Sequence, residues 1–405
     1  MSPSQRGPRI AFALTTLLTL LVNPASAYAE LSNAALRSIP NAGGALHPHT
    51  GSLLSPILIP RVPGTAGSAA VQKHIVDFFE RELPDWRLEW HNSTSRTPAT
   101  GNKDVPFANL VFTRDPPWVK GVGGDVGRLA LVAHYDSLHQ PEGFVGATDS
   151  AVPCAVLMQV ARGIDAALTR KWSTEGADED DGLGNLDDDD NKGVQIILLD
   201  GEEAWATWSE TDSLYGARAL AEKWEAETYS GQSRYKSALE SIKLFVLLDL
   251  LGAVDPHVPS YFAATHWAYR GMASVEKRLR NGGLLATQAP QMGAFLPESE
   301  KKVEQFRQQR GFIADDHIPF MRRGVPILHI IPTPFPVTWH TMDDDANHLD
   351  VDSIEDWAKI MTGFAAEWME LDEYMMMQSP LDGEEKEKEK KTKTNTTTTR
   401  DRSEL

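Results

Sequence analysis

Four short runs of almost wholly apolar residues, at 129–133, 194–199, 244–248 and 325–331, limit this chain to few architectures. Runs of this length without polar alternation suit strands buried on both faces. The stretches around 69–83, 151–169, 214–228 and 351–371 carry apolar residues at helical spacing. Such alternation predicts a mostly parallel central sheet covered on both sides, a single-domain three-layer α/β sandwich. No internal repeat interrupts the pattern, and 405 residues are ample for one large core.

Polar and charged residues gather just after those same runs. His134-Tyr135-Asp136 follows the first, Asp200-Gly201-Glu202-Glu203 the second and Asp249 the third; Trp339-His340 comes soon after the fourth. In open α/β sheets the ligand crevice lies beyond the carboxyl ends of the strands, so these segments are expected to converge. A mixed nitrogen and oxygen donor set suits zinc, and a catalytic zinc typically takes three protein ligands and keeps one position open. Adjacent glutamates can divide the labour, one binding metal while its neighbour acts as acid or base. Singly, each signal is weak. Residues 200–203 could form a solvated turn, and a lone histidine near an aspartate is more often structural. Their joint occurrence after successive buried strands favours a metal site.

The formal net charge of -18 argues against a nucleic-acid partner, which would call for clustered Lys and Arg. Arg6 and Arg9 precede an apolar run at 10–22 and then Ala25-Ser26-Ala27. This reads as a cleaved leader, residues 1–27, rather than a retained anchor. No other apolar stretch of spanning length is evident, so no membrane span is expected after cleavage. Secretion or residence in the secretory-pathway lumen follows, and a monomer is expected. Cys154 is the one cysteine, which excludes an intramolecular disulfide and a cysteine-cluster metal site. Asn92-Ser93-Thr94 is a glycan-acceptor pattern, as is Asn395-Thr396-Thr397 near the C-terminus.

Residues 171–193, with acidic blocks at 178–181 and 187–190, are expected to be a disordered acidic insertion. Their spacing does not match a calcium loop of the EF-hand type. The chain from 379 to 405 is expected to be a disordered charged tail, leaving 28–378 as the catalytic domain. The last residues, Arg402-Ser403-Glu404-Leu405, faintly resemble an endoplasmic-reticulum retrieval signal.

Several segments resemble the glutaminyl-peptide cyclotransferases, which have a zinc-aminopeptidase-like fold. They are Phe144-Val145-Gly146-Ala147-Thr148-Asp149-Ser150-Ala151-Val152-Pro153-Cys154, Asp200-Gly201-Glu202-Glu203-Ala204, Asp212-Ser213-Leu214-Tyr215-Gly216, Asp315-Asp316-His317-Ile318-Pro319-Phe320 and Trp339-His340-Thr341-Met342-Asp343-Asp344. The resemblance runs from about residue 70 to about 370, and its motifs are long and in order. It implies one zinc ion per active site, bound by Asp149, Glu203 and His340, with Glu202 as general acid and base. It also implies that Asp249 and Asp315 form an acidic hydrogen-bonded network beside the metal. Trp208, Phe335 and Trp339 would line a pocket for the side chain of an N-terminal glutamine, or of a more slowly reacting glutamate, which becomes pyroglutamate. Asp316 and His317 would brace their loop. His329 reads as a core histidine, and His47, His49, His74 and His139 carry no constellation.

Two departures stand out. Many members have a cysteine where this chain has Ala133, so Cys154 lacks the partner that the resemblance supplies. Vertebrate-type members often have glutamine where this chain has Ala314. A two-zinc aminopeptidase of the same fold group would use His134 and Asp249 around a second ion, with Asp149 bridging, and all five side chains are present. An inactive peptide-binding homologue is the remaining alternative, although every expected ligand and Glu202 are in place.

Overall fold

The computed structural model of the protein describes residues 29–101, 103–119, 124–178, 191–287, 293–308 and 313–376. The expected leader, residues 179–190 of the acidic insertion and the charged tail lie outside the described residues. Six strands, β1 (Arg87–Arg96), β2 (Asp104–Arg114), β3 (Gly127–His134), β4 (Lys192–Leu199), β5 (Ile242–Leu248) and β6 (Ile327–Ile330), form one sheet in the order β1-β2-β4-β3-β5-β6. Strands β3 to β6 are parallel to their neighbours, while β2 runs antiparallel to β4 and β1 antiparallel to β2.

The five longer helices are α1 (Ala66–Glu82), α2 (Val152–Asp178), α3 (Tyr215–Ala226), α4 (His266–Asn281) and α5 (Val351–Trp368). They sort by sheet face, because successive strand side chains point to opposite sides. Leu129, Leu131, Val194, Ile196, Leu198, Leu244 and Val246 enter a core shared with α1, α2, α4 and α5. Their neighbours Ala130, Val132, Ile197, Phe245 and Leu247 pack with Ala217, Leu220 and Trp224 of α3. Two-sided burial explains the unbroken apolar runs. Side-chain caps start two of the helices, Thr65 accepting from the Ser68 amide before α1 and Asp350 from the Ser353 amide before α5.

The expected strands and helices are present, and among the further elements two matter most, a hairpin and one long helix. The β1–β2 hairpin has a half-exposed outer strand of mostly polar residues, which carries little apolar signal. Helix α4 is interrupted by basic residues, yet buries Ala268, Tyr269, Met272, Val275 and Leu279.

Two expectations need correction. The stretch expected to be disordered from 171 begins inside α2, which continues to Asp178. Trp172 there is buried, with Arg114 over its ring, and Lys171 Nζ donates to the Met369 carbonyl at 2.9 Å. At the other end, Lys192 and Gly193 already belong to β4. The helix spanning Ala147–Gly176 is also long and apolar enough to cross a membrane, contrary to the reading that no such stretch follows the leader. Its most apolar window is 78% buried within the fold, as befits a central core helix.

The parallel strands stop in register at one edge, where His134 pairs with Leu199 and Leu248 with Ile330. Each following segment therefore emerges on the same side. The 200–203 turn is pinned there: Asn109 Oδ1 accepts the Asp200 amide at 2.9 Å, and the Gly216, Tyr215 and Leu214 amides donate back to Asp200, Gly201 and Glu202. Gly201 has φ +74°, and a Cβ there would lie 2.3 Å from the Phe107 ring. Gly201→Ala is expected to lower unfolding free energy by about 2–4 kcal/mol through left-handed strain plus overpacking, as read by denaturant titration.

Candidate metal centre

Asp149, Glu203 and His340 converge at this edge, each offering a ligand atom within 4.8 Å of the other two. His340 Nε2 lies 3.4 Å from Asp149 Oδ2 and 3.8 Å from Glu203 Oε2. Among the described residues, Glu203 Oε1 is buried without a hydrogen-bond partner, which leaves it free to ligate. Two carboxylates and an imidazole at this spacing fit a divalent metal ion.

Each of these candidate ligands is held in place by neighbouring residues. Asp136 accepts the Glu202 and Glu203 amides on its two oxygens, at 3.1 and 3.2 Å, and so orients the glutamate pair. Asp149 sits in the tight turn Ala147–Ala151 ahead of α2. The Thr148 amide and hydroxyl donate to Asp344 Oδ1 at 2.8 and 2.9 Å, and the Ala147 amide to the Asp344 carbonyl at 3.0 Å. Asp344 thereby ties the Asp149 loop to the His340 loop. His340 has φ +55°, stacks on Trp339 at 4.0 Å and meets Phe144 edge-on.

A second triad, His134, Asp149 and Asp249, also satisfies the ligand spacing. Here the atoms already bond to protein: His134 Nε2 is 3.0 Å from Asp149 Oδ1, and Asp249 Oδ1 accepts from the Ser150 hydroxyl and, at 2.8 Å, from the Leu250 amide. Behind it, His329 Nε2 lies 2.7 Å from Asp315 Oδ2, and both groups are buried with His317 in a third cluster of ligand spacing. His329 is thus a core histidine, as expected, with Asp315 as its partner. Asp249 and Asp315 keep separate hydrogen-bond partners and sense each other through charge.

The electrostatics follow from crowding. Burial, together with the charges of Glu203, Asp315 and Asp316, holds the Glu202 carboxyl well above its ordinary range despite the opposing pull of His134. Burial and then Asp315 and Asp149 push Asp249 up to about 6. Burial would raise Asp149 too, but hydrogen bonds with His134 and His340 prevail and hold it low. Burial disfavours protonated His134, yet bonding to Asp136, Asp149 and Asp249 raises it well above the usual imidazole value.

Two of the three expected pocket aromatics lie beside His340: Trp339 stacks on it, and Phe335 packs against Trp339. Phe335 meets Trp339 in a T-shaped contact at 4.8 Å, while Trp339 and Trp208 are exposed. The loop carrying Trp208 is organised by Asp212, which accepts the Trp205, Ala206 and Thr207 amides at 2.8–2.9 Å and the Tyr215 hydroxyl at 2.8 Å. Sequence reasoning assigned no role to Asp136, Asp212 or Asp344. All three lie inside or beside the quoted motifs, and that proximity was the available signal.

The family model described as peptidase family M28 matches residues 119–365. A glutaminyl-peptide cyclotransferase of Bos taurus is 38% identical over 323 residues, covering 78% of this chain and 81% of the bovine protein. One of Drosophila melanogaster is 35% identical, covering 88% of this chain and 89% of its own length. The crystal structure of Macrostomum lignano glutaminyl cyclase superposes with a TM-score of 0.68 at 29% identity, over 85% of this chain and 95% of that one.

Glu202, Glu203, Asp249, Asp316 and Asp344 all hold protons more tightly when folded, Asp249 and Asp344 at about 6. The metal-free folded state therefore keeps protons that the unfolded chain releases above about pH 4. Stability present below that value is lost as pH rises through about 6. The melting temperature of metal-free protein should accordingly fall across this window, and saturation with a divalent metal ion should flatten the fall. Thermal unfolding with and without chelator checks this; a level metal-free profile would contradict it.

Proposed function

The chain belongs to peptidase family M28 and, within it, to the glutaminyl-peptide cyclotransferases, and on that basis we propose that it converts N-terminal glutamine of peptides and proteins to pyroglutamate with release of ammonia. The observation that carries this reading is the meeting of Asp149, Glu203 and His340 beside a buried, proton-retaining Glu202. We assign one zinc ion to that triad, where Glu203 Oε1 has no hydrogen-bond partner among the described residues, whereas Asp249 Oδ1 of the second triad already accepts two hydrogen bonds. Zinc, when bound there, supplies a Lewis acid that polarises the γ-carbonyl of the substrate glutamine.

The protein's own residues do the rest. Trp208, Phe335 and Trp339 enclose the glutamine side chain and hold the α-amine near the carbonyl, so that positioning becomes rate. A bond forms between the α-nitrogen and the γ-carbonyl carbon, and the bond from that carbon to the amide nitrogen breaks. Glu202 in its ionised form accepts a proton from the attacking amine and, as the carboxylic acid so formed, delivers it to the departing ammonia. Asp315 adds negative charge that raises Glu202 and, beside it, Asp249, which favours a Glu202 able to carry that proton. The amine is the nucleophile, so no activated water is required.

The remaining assignments rest on sequence pattern. We place the enzyme in the secretory-pathway lumen or outside the cell, as a monomer without a membrane span once residues 1–27 are removed. The catalytic domain is 28–378 and the charged tail 379–405.

Incubation with glutaminyl and leucyl peptides tests the reading. Pyroglutamate formation is expected, lost with a chelator and regained with one equivalent of zinc per chain; leucine release would replace this reading with a peptidase. Glu202→Gln should lower kcat by about 10²–10⁴-fold while KM and zinc content stay near wild type.

A further inference from the structure

Arg61 lies between Pro60 and Val62, ahead of α1, and its side chain is fully buried. Among the described residues it forms no ion pair. Its guanidinium instead donates to main-chain carbonyls: Nη1 to Val145, and Nη2 to both Gly146 at 2.8 Å and Asp149 at 3.3 Å. A further bond reaches the Ile59 carbonyl at 3.4 Å, and the Arg61 amide donates to Ser137 Oγ at 2.9 Å. One nitrogen thus bridges two carbonyls of the loop that ends in the ligand Asp149. The loop is curled tightly enough for this: Gly146 has φ +61°, and a Cβ there would lie 2.2 Å from the Asp149 carbonyl oxygen.

Burying a cation without a contact carboxylate is unfavourable and calls for a compensating role. Arg61 faces the charges of Asp136, Asp149 and Asp344 at longer range, so it also offsets the negative field of the cluster. Asp344 grips the same loop through Thr148, and Arg61 closes it through the carbonyls of Gly146 and Asp149.

We propose that Arg61 is a positioning residue for the metal centre, holding the 145–149 loop so that the Asp149 carboxylate is presented before metal binds. This rests on the metal assignment given above. A planar fork with several fixed donors can serve carbonyls at four positions, which a lysine ammonium at the same place cannot reproduce. Loss of such outer support typically weakens metal affinity about 10–100-fold.

The test compares wild type, Arg61→Lys and Arg61→Met in zinc affinity, measured by competition with a chromogenic chelator at fixed pH. Metal-free melting temperature and KM at saturating zinc are recorded alongside. Expected is zinc affinity about 10–100-fold weaker in Arg61→Lys, with KM near wild type and a smaller zinc-induced rise in melting temperature. A folded Arg61→Lys with wild-type zinc affinity overturns the proposal. So does a lower metal-free melting temperature with unchanged affinity, or failure of both variants to fold, since either marks Arg61 as a general stability residue. Failure of wild type itself to bind zinc would instead overturn the metal assignment, and with it the role given to Arg61.

Discussion

Six carboxyl groups, those of Asp149, Glu202, Glu203, Asp249, Asp315 and Asp316, are buried together at one edge of the sheet. An unpaired carboxylate in a protein interior is strongly disfavoured, so each must keep its proton, accept hydrogen bonds or face a cation. All three remedies occur here. Glu202, Glu203 and Asp316 hold protons well above their ordinary range. Asp149 and Asp315 are held low by His134 and His340 in one case and by His329 in the other. His134 and Arg61 bring positive charge inside without exposing it. The two-sided apolar core makes such a cluster tolerable, because it supplies the stability from which the unfavourable burial is subtracted.

That core was largely legible in the sequence. Strands buried on both faces leave unbroken apolar runs, and β3, β4 and β5 appear where those runs lie. The hairpin was hidden because Arg87–Arg96 buries His91 alone and leaves polar residues half exposed. Helix α4 was hidden because its buried residues alternate with Arg270, Lys277, Arg278 and Arg280, which dilute the apolar stripe. The acidic insertion was drawn too wide for a related reason. Composition turns polar around 173, yet the buried Trp172 and the bond from Lys171 to Met369 anchor that stretch of α2 to the fold.

The site was legible at its donors and not at their supports. His134, Glu202, Glu203 and Asp249 could be read from their place after apolar runs, while Asp149, Glu203 and His340 became a ligand set through family resemblance. The structure brings those three together. Asp136, Asp344 and Arg61 act through backbone amides and carbonyls of segments distant in sequence, and such bonding leaves no pattern of residue types. Asp136 and Glu203 are 67 residues apart, and Asp344 and Thr148 are 196 apart. Only the fold makes those pairs neighbours.

The two possible ligand sets that share Asp149 differ in access. His134 is fully buried, and the donors of its triad spend their bonding capacity on one another, on Ser150 and on the Leu250 amide. His340 is 37% exposed, lies on a loop bordered by Trp339 and Phe335, and faces Glu203 Oε2 at 3.8 Å. The closed set is suited to fixing geometry and the open one to meeting a substrate. Hydrolysis by a metal pair needs both sets open, so that an activated water can be held between the ions. Ring closure by the substrate's own amine needs one carbonyl-polarising position, a neighbouring proton carrier and an enclosing wall. In the proposed reading, Asp149, Glu203 and His340 supply the first of these, Glu202 the second and the aromatics assigned to the pocket the third. Within a fold shared with zinc peptidases, the proposed change of reaction therefore lies in which donors are left free.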